Sequence, residues 1–202
     1  MDSAPKSLVQ RRIRIVAILI VVASAAGAAA LYFWSLNPER FAVVDERGLY
    51  RSSQPTKRQI QHLIDKLGLK TILIVRSGNS SRVPDEIQFA REKGLKVVHI
   101  PIETRKPIPE SQISEFFREV DDRANWPILV HCSAGRHRTG YLCARYRIER
   151  QGWSLDRAIQ ELLSFGFDTE DQGVVLSQLR AYKPATTAAP TRTVADHRPE
   201  RH

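Results

Sequence analysis

Apolar and polar positions divide the chain into three unlike parts. Positions 15–34 are apolar apart from Ser24 and Gly27, a run of the roughly 20 residues that a helix needs to cross a bilayer. Lys6, Arg11, Arg12 and Arg14 precede it, and Tyr32, Phe33 and Trp34 close it in the manner of an interfacial aromatic belt. The expectation is one transmembrane signal-anchor helix over 15–34 and a basic cytoplasmic segment over 1–14. The positive-inside rule then places the remainder on the non-cytoplasmic side of a membrane. A cleavable signal peptide competes with that reading because small residues fill 25–30, but the run exceeds the ~7–15 residues of a usual signal core. A buried helix of a soluble protein would carry a polar face, which this run lacks.

Beyond residue 40, short apolar runs alternate with helical periodicity. Strands are predicted at 49–51, 71–75, 96–100 and 128–130, the last wholly apolar in the way of a strand covered on both faces. Helices are predicted from the Thr56 cap to Leu67 before Gly68, from Pro84 to Lys93 before Gly94, and over 110–122, 139–151, 155–164 and 173–182. Ile113, Phe116, Phe117 and Val120 share one face of the helix at 110–122. The alternation implies an α/β domain over 40–182 with a central, mostly parallel sheet flanked by helices. Residues 183–202, rich in Pro, Ala and Thr with little to bury, read as a disordered tail.

Composition narrows the chemistry. At 202 residues and 42% hydrophobic, the chain is large enough for one well-buried core. Two cysteines exclude a disulfide-stapled scaffold and leave a free thiol as a candidate for reaction. The formal net charge of +9 points to an anionic partner, whether phosphate groups, nucleic acid or acidic lipid. Nucleic acid is disfavoured, since the basic residues are spread out and no run of them is interleaved with aromatics at a stacking spacing.

The candidate chemistry directly follows the apolar strand at 128–130. There, His131-Cys132-Ser133-Ala134-Gly135-Arg136-His137-Arg138-Thr139-Gly140 leads into a helix. A loop at the carboxyl end of a sheet strand, entering a helix, aims several backbone N–H groups at one point. The small residues Ser133, Ala134 and Gly135 let the backbone curl around an oxyanion, the Arg138 guanidinium grips two of its oxygens, and Arg136 and His137 add positive charge. Cys132 lies at the base of that cradle. Amides, helix N-terminus and Arg138 together favour its thiolate, and such settings bring a pKa of ~8.5 into the range ~3.5–7.5. A drop of ~3 units is worth about 4 kcal/mol, enough to make the ionised sulfur the resting form. His131, Cys132 and His137 do not repeat at the spacing of a zinc site, so no metal and no other cofactor is expected.

This constellation resembles the cysteine-dependent protein tyrosine phosphatases, more narrowly their compact dual-specificity and atypical bacterial or fungal branch. The resemblance covers most of 50–167. Tyr50-Arg51-Ser52-Ser53-Gln54-Pro55, Leu67-Gly68-Leu69-Lys70-Thr71-Ile72, and Gly152-Trp153-Ser154 with Ala158 and Glu161 are similar to that branch's motifs in the same order. It implies a phosphatase-like domain that hydrolyses phosphotyrosine, with phosphoserine and phosphothreonine as further substrates, through a cysteinyl-phosphate intermediate. In that scheme Cys132 attacks phosphorus, Arg138 holds the phosphoryl oxygens, and Thr139 donates its hydroxyl to the sulfur or caps the helix. Members of the family commonly carry an Asp as general acid at the place of 99–107, where Glu103 is the only carboxylate here. Asp121 and Asp122 are the fallback.

Around this core of roles stand other readings. His131 is expected to prop the loop through a backbone hydrogen bond, and Cys143 to pack in the core or to act as a redox partner of Cys132. Arg51 and Arg76 either extend a basic pocket or pair with local carboxylates. The partners implied are a phosphorylated protein or a polyanionic phosphate. The latter is the alternative because Arg136 matches a basic residue that related phosphatases of inositol phosphates and their lipids often carry. The missing loop Asp suggests a rival from another class, a phosphate-reading module without turnover. A sulfurtransferase, more distant, would not require Arg138.

Overall fold

The computed structural model describes residues 8–77 and 82–184. The expected tail from residue 185 onward and the first seven residues of the basic segment lie outside the described residues. Helix α1 (Leu8–Ser35) leads into the domain. The expected transmembrane anchor is not upheld, because among the described residues no helix is long and apolar enough to cross a membrane. Arg11, Arg12 and Arg14 lie inside α1 rather than before it. The membrane association expected through 15–34 and the non-cytoplasmic placement of the domain are likewise not supported among the described residues.

The sheet contains β1 (Ala42–Asp45), β2 (Leu49–Ser52), β3 (Thr71–Ile74), β4 (Lys96–His99) and β5 (Ile128–His131), in the order β1-β2-β5-β3-β4. Strands β2, β5, β3 and β4 are parallel, and β1 lies antiparallel along β2 at the edge, so the sheet is mixed. Helix α2 (Lys57–Leu67) carries the chain from β2 to β3. Thr56 and Gln59 form its capping box, and Gly68 ends it in the left-handed region at φ 63°. Helix α3 (Arg82–Glu92) links β3 to β4, and α4 (Glu110–Asp121) with a 3-10 turn (Arg123–Asn125) precedes β5.

Although last in sequence, β5 takes the middle of the sheet, pairing with β2 on one side and β3 on the other, and all four of its residues are buried. Its side chains alternate between two cores, as the period of a strand requires. Ile128 and Val130 join Leu49, Leu73 and Phe116 on one face, while Leu129 joins Ile72, Ile74 and the inward residues of α2 and α3 on the other. The larger core is closed by α5 (Arg138–Gln151), α6 (Leu155–Ser164) and α7 (Gly173–Ala181). Helix α5 is buried through most of its length. Its basic side chains are therefore neutralised where they stand: Arg145 by Glu110 and Glu149, Arg147 by Glu161.

At the sheet edge, buried Asp45 accepts hydrogen bonds from Arg47 and, at 2.8 Å, from the Tyr146 hydroxyl of α5. The bond from the Arg47 side chain outweighs burial and holds the Asp45 carboxyl well below the usual carboxylate range. A carboxylate with a depressed folded pKa stabilises the fold above its unfolded pKa of about 3.9, and that stabilisation is lost as pH falls through the lower folded value. Asp45→Asn is thus expected to unfold at lower urea concentration than the parent at pH 7. The gap between the two midpoints should narrow steadily below pH 4; a gap constant from pH 7 to pH 2.5 contradicts this account.

Candidate active site

Strand β5 ends at His131, and residues 132–137 turn into α5 at the carboxyl ends of the parallel strands. Here the chain order across the sheet reverses, the place where open α/β sheets receive ligands. Cys132 is only 2% exposed. Burial alone raises a thiol pKa, as Cys143 on α5 demonstrates: buried in the core, it is pushed up to about 11. At Cys132 the balance reverses. Burial pushes the thiol up there too, but the Arg138 charge, the Thr139 hydroxyl and the amides of Thr139 and Gly135 outweigh it and hold the thiol below its ordinary value. Both cysteines are free. The Thr139 hydroxyl is fully buried and, among the described residues, has no hydrogen-bond partner.

What turns the amides of the loop inward is the capture of its carbonyls from outside. His131 Nδ1 donates to Cys132 O (3.1 Å), Gln54 N to Ser133 O (3.0 Å), Arg40 Nη1 to Ala134 O (3.2 Å) and Arg51 Nη2 to Gly135 O (2.8 Å). Four consecutive carbonyls are thus held by donors that are not part of the curl, and the N–H groups are left for a guest. Gly135 adopts φ +69° with its Cα against the Ser52–Ser53 backbone, where a Cβ would lie 2.5 Å from Ser52 O. Arg51 is 1% exposed and lies 3.8 Å over the Phe165 ring. It neither lines a basic pocket nor pairs with a carboxylate; it is a buried strut.

Arg138 is mostly buried and donates from Nη1 to Ile102 O (3.2 Å). Among the described residues, the buried Nε groups of Arg138 and Arg136 find no acceptor. A buried unfilled donor costs on the order of 1–3 kcal/mol, so this loop is poised for an anion. His137 faces the other way: its Nε2 accepts from Asp168 N (3.3 Å) and its ring stands edge-on to Phe167. Burial followed by the nearby Arg136 charge holds its pKa below the ordinary histidine value, so its side chain anchors the segment before α7 rather than supplying charge to the cradle.

The structure therefore brings Cys132, Ser133, Ala134, Gly135, Arg136, Arg138 and Thr139 together. It does not bring the Glu103 carboxylate to them. Glu103 is exposed and paired with Lys106 at 2.6 Å, which holds it below the usual carboxylate range. Only its backbone neighbour, Ile102, touches Arg138. The fallback acids are occupied as well, Asp121 by Arg150 and Asp122 in capping the 3-10 turn. No group of three or more His, Cys, Asp or Glu among the described residues is arranged to hold a metal.

One participant escapes sequence reasoning altogether. Glu86 of α3 is buried, with Oε1 2.6 Å from His131 Nε2 and Oε2 accepting from Gln54 Nε2 at 2.7 Å. A signal existed, for Val83, Glu86 and Ala90 share the buried face of α3 at helical spacing. An acid on that face calls for a partner, but the sequence does not say which one.

The family model described as "Tyrosine phosphatase family" matches residues 35–186. The chain belongs to the tyrosine phosphatase family. Similar members include the inositol diphosphatase SIW14 of Saccharomyces cerevisiae, 34% identical over a 142-residue alignment that covers 65% of this chain and 47% of that protein. The dual specificity protein phosphatase TpbA of Pseudomonas aeruginosa is 29% identical over 124 residues, 61% of this chain and 53% of that one. The chain spans about half the length of these relatives. Among solved structures of the family, the SIW14 core catalytic domain in complex with citrate superposes with a TM-score of 0.64 at 29% identity, covering 73% of this chain and 87% of that one. TpbA in complex with pTyr shares the fold, with a TM-score of 0.57 at 23% identity.

Proposed function

We propose that this tyrosine phosphatase family member hydrolyses phosphate monoesters through a cysteinyl-phosphate intermediate, with aryl phosphates such as phosphotyrosine as its main substrates. The observation that carries the reading is a buried thiol held below its ordinary pKa by one guanidinium, one hydroxyl and two amides. Cys132 attacks phosphorus, the loop amides and Arg138 take the three equatorial oxygens, and Thr139 steadies the sulfur as it leaves in the second step. Residues 40–182 form the catalytic unit. The test is trapping: a short incubation with labelled aryl phosphate and acid quench should leave label on Cys132, while equilibrium binding without such label marks a phosphate reader. Thiosulfate turnover independent of Arg138 marks a sulfurtransferase.

Polyanionic phosphates are the second reading, favoured by Arg40 on the Ala134 carbonyl and by Arg136 with its unfilled Nε at the same loop. Relatives named inositol diphosphatases support it. A panel of phosphotyrosine peptides, phosphoserine peptides and inositol phosphates, ranked by kcat/KM, separates the two.

Glu103 serves as the general acid in this scheme, on a segment whose neighbouring carbonyl Arg138 already holds. Its proton transfer requires that the segment leave Lys106 and swing its carboxyl inward. Glu103→Gln is then expected to lower turnover of alkyl phosphates by roughly 100-fold and of aryl phosphates by less than about threefold, because only the alkoxide depends on protonation. Equal losses on both substrate types remove Glu103 from the role.

A further inference from the structure

Behind the cradle runs a chain of side chains whose proton positions follow from the atoms they face. It starts at Arg76, which is always protonated and donates from Nη1 to Gln54 Oε1. That bond fixes the orientation of the Gln54 amide, so its Nε2 is the group that meets Glu86 Oε2 at 2.7 Å, and a donor there requires an accepting carboxylate oxygen. Glu86 Oε1 in turn lies 2.6 Å from His131 Nε2, and His131 Nδ1 lies 3.1 Å from the carbonyl oxygen of Cys132. A carbonyl only accepts, so Nδ1 carries a proton. At 2.6 Å one proton lies between Nε2 and Oε1, and with it on the nitrogen the ring is an imidazolium beside a carboxylate. The imidazole is fully buried and Glu86 is 4% exposed, which places the two groups, as an ion pair if the proton stays on nitrogen, one residue from the reactive sulfur.

Such a pair is a weak source of stability, since stripping water from both charges offsets most of their attraction. Its position suggests another use. We propose that Glu86 is a positioning residue for Cys132: its carboxylate keeps His131 in the doubly protonated form, and that cation both holds the Cys132 carbonyl away from the anion site and favours ionised sulfur. The groups facing His131 are Glu86 from α3, Cys132 from its own strand end and, through Gln54, Arg76 after β3; Arg138 faces the sulfur from α5. Consistent with this geometry, His131 stays above the ordinary histidine pKa despite full burial, with Glu86 as the largest opposing influence.

The inference rests on the phosphatase reading for its consequence, yet its test does not depend on turnover. In the unmodified protein, nitrogen NMR of the His131 ring should show both nitrogens protonated at pH 7.5; a single protonated nitrogen there overturns the proposal, and this needs no variant. In Glu86→Gln, the pH midpoint for alkylation of Cys132 by iodoacetamide should rise by about one pH unit. The thiolate is then about tenfold scarcer below both midpoints, and the acid limb of the kcat/KM profile should move upward by the same amount. His131→Asn should give the same displacement, with no further shift in the double variant. A folded Glu86→Gln protein with an unmoved alkylation midpoint sinks the proposal. If the midpoint moves but no phosphate ester is ever turned over, the functional reading has failed and this one has not.

Discussion

Cys132→Ser is expected to abolish turnover of aryl phosphates, by at least about 10⁴-fold in kcat, while leaving the protein at least as stable as the parent. The two effects have one cause. In the resting protein a sulfur that is 2% exposed has its ionised form favoured by Arg138, Thr139 and two amides, and a buried ion carries a desolvation cost that its partners offset only in part. A serine hydroxyl in the same place stays neutral at every working pH. It therefore cannot attack phosphorus, and it removes the buried charge while still meeting the Thr139 hydroxyl. The donors that grip the phosphoryl group are untouched, so vanadate or a phosphotyrosine peptide should still bind. Kinetics with an aryl phosphate, a thermal melt and a titration with vanadate check the three parts separately. Retained turnover refutes the nucleophile, and lost anion binding in the inactive variant refutes the cradle.

Gly135→Ala is expected to lower kcat/KM by more than about 100-fold and to destabilise the fold by about 2–4 kcal/mol. Gly135 sits at φ +69°, and an added Cβ would lie 2.5 Å from Ser52 O, 2.6 Å from Ser52 C and 2.6 Å from Ser53 N. All three atoms are backbone, at the last residue of β2 and the one after it, so no side-chain rotation relieves the contact. Either β2 or the loop must move, and the loop cannot do so without losing the Arg51 and Gln54 bonds that keep its amides inward. Gly152 supplies the control. It ends α5 at φ +67° with open space where a Cβ would go, so Gly152→Ala meets only the left-handed backbone penalty of about 1–2 kcal/mol. It should leave kcat/KM unchanged. Equal kinetic losses in the two variants would remove the steric argument and leave only backbone strain.

Much of the molecule was legible before any coordinate. The parallel strands announced themselves as apolar runs, and Thr56 and Gly68 bounded α2 as a capping residue and a terminating glycine should. Strand β1 escaped notice, for four residues that mix intermediate, exposed and buried positions carry no strand signal. The reading of 15–34 as a membrane anchor is not upheld, since among the described residues no helix is long and apolar enough to cross a membrane, and the helix itself begins earlier, continuing through the three arginines to Leu8. Helical periodicity and hydropathy register what a segment prefers by itself, and they are silent on where an element begins when both sides favour helix.

The reactive loop belongs to the same legible class. A cysteine, small residues, an arginine and a helix start lie within ten consecutive positions, and chain connectivity alone keeps them together. What connectivity could not decide is what stands behind and around that loop. Arg51 as the strut under Gly135, Arg40 on Ala134, Gln54 on Ser133 and Glu86 on His131 reach it from sequence separations of 45 to 94 residues. Glu103, read as an acid from its place in the chain, lies exposed and paired with Lys106, away from the sulfur. Local order sets which groups can react. The burial that fixes one carboxylate beside its partner and leaves another exposed is a property of packed elements, and it comes into being only when they meet.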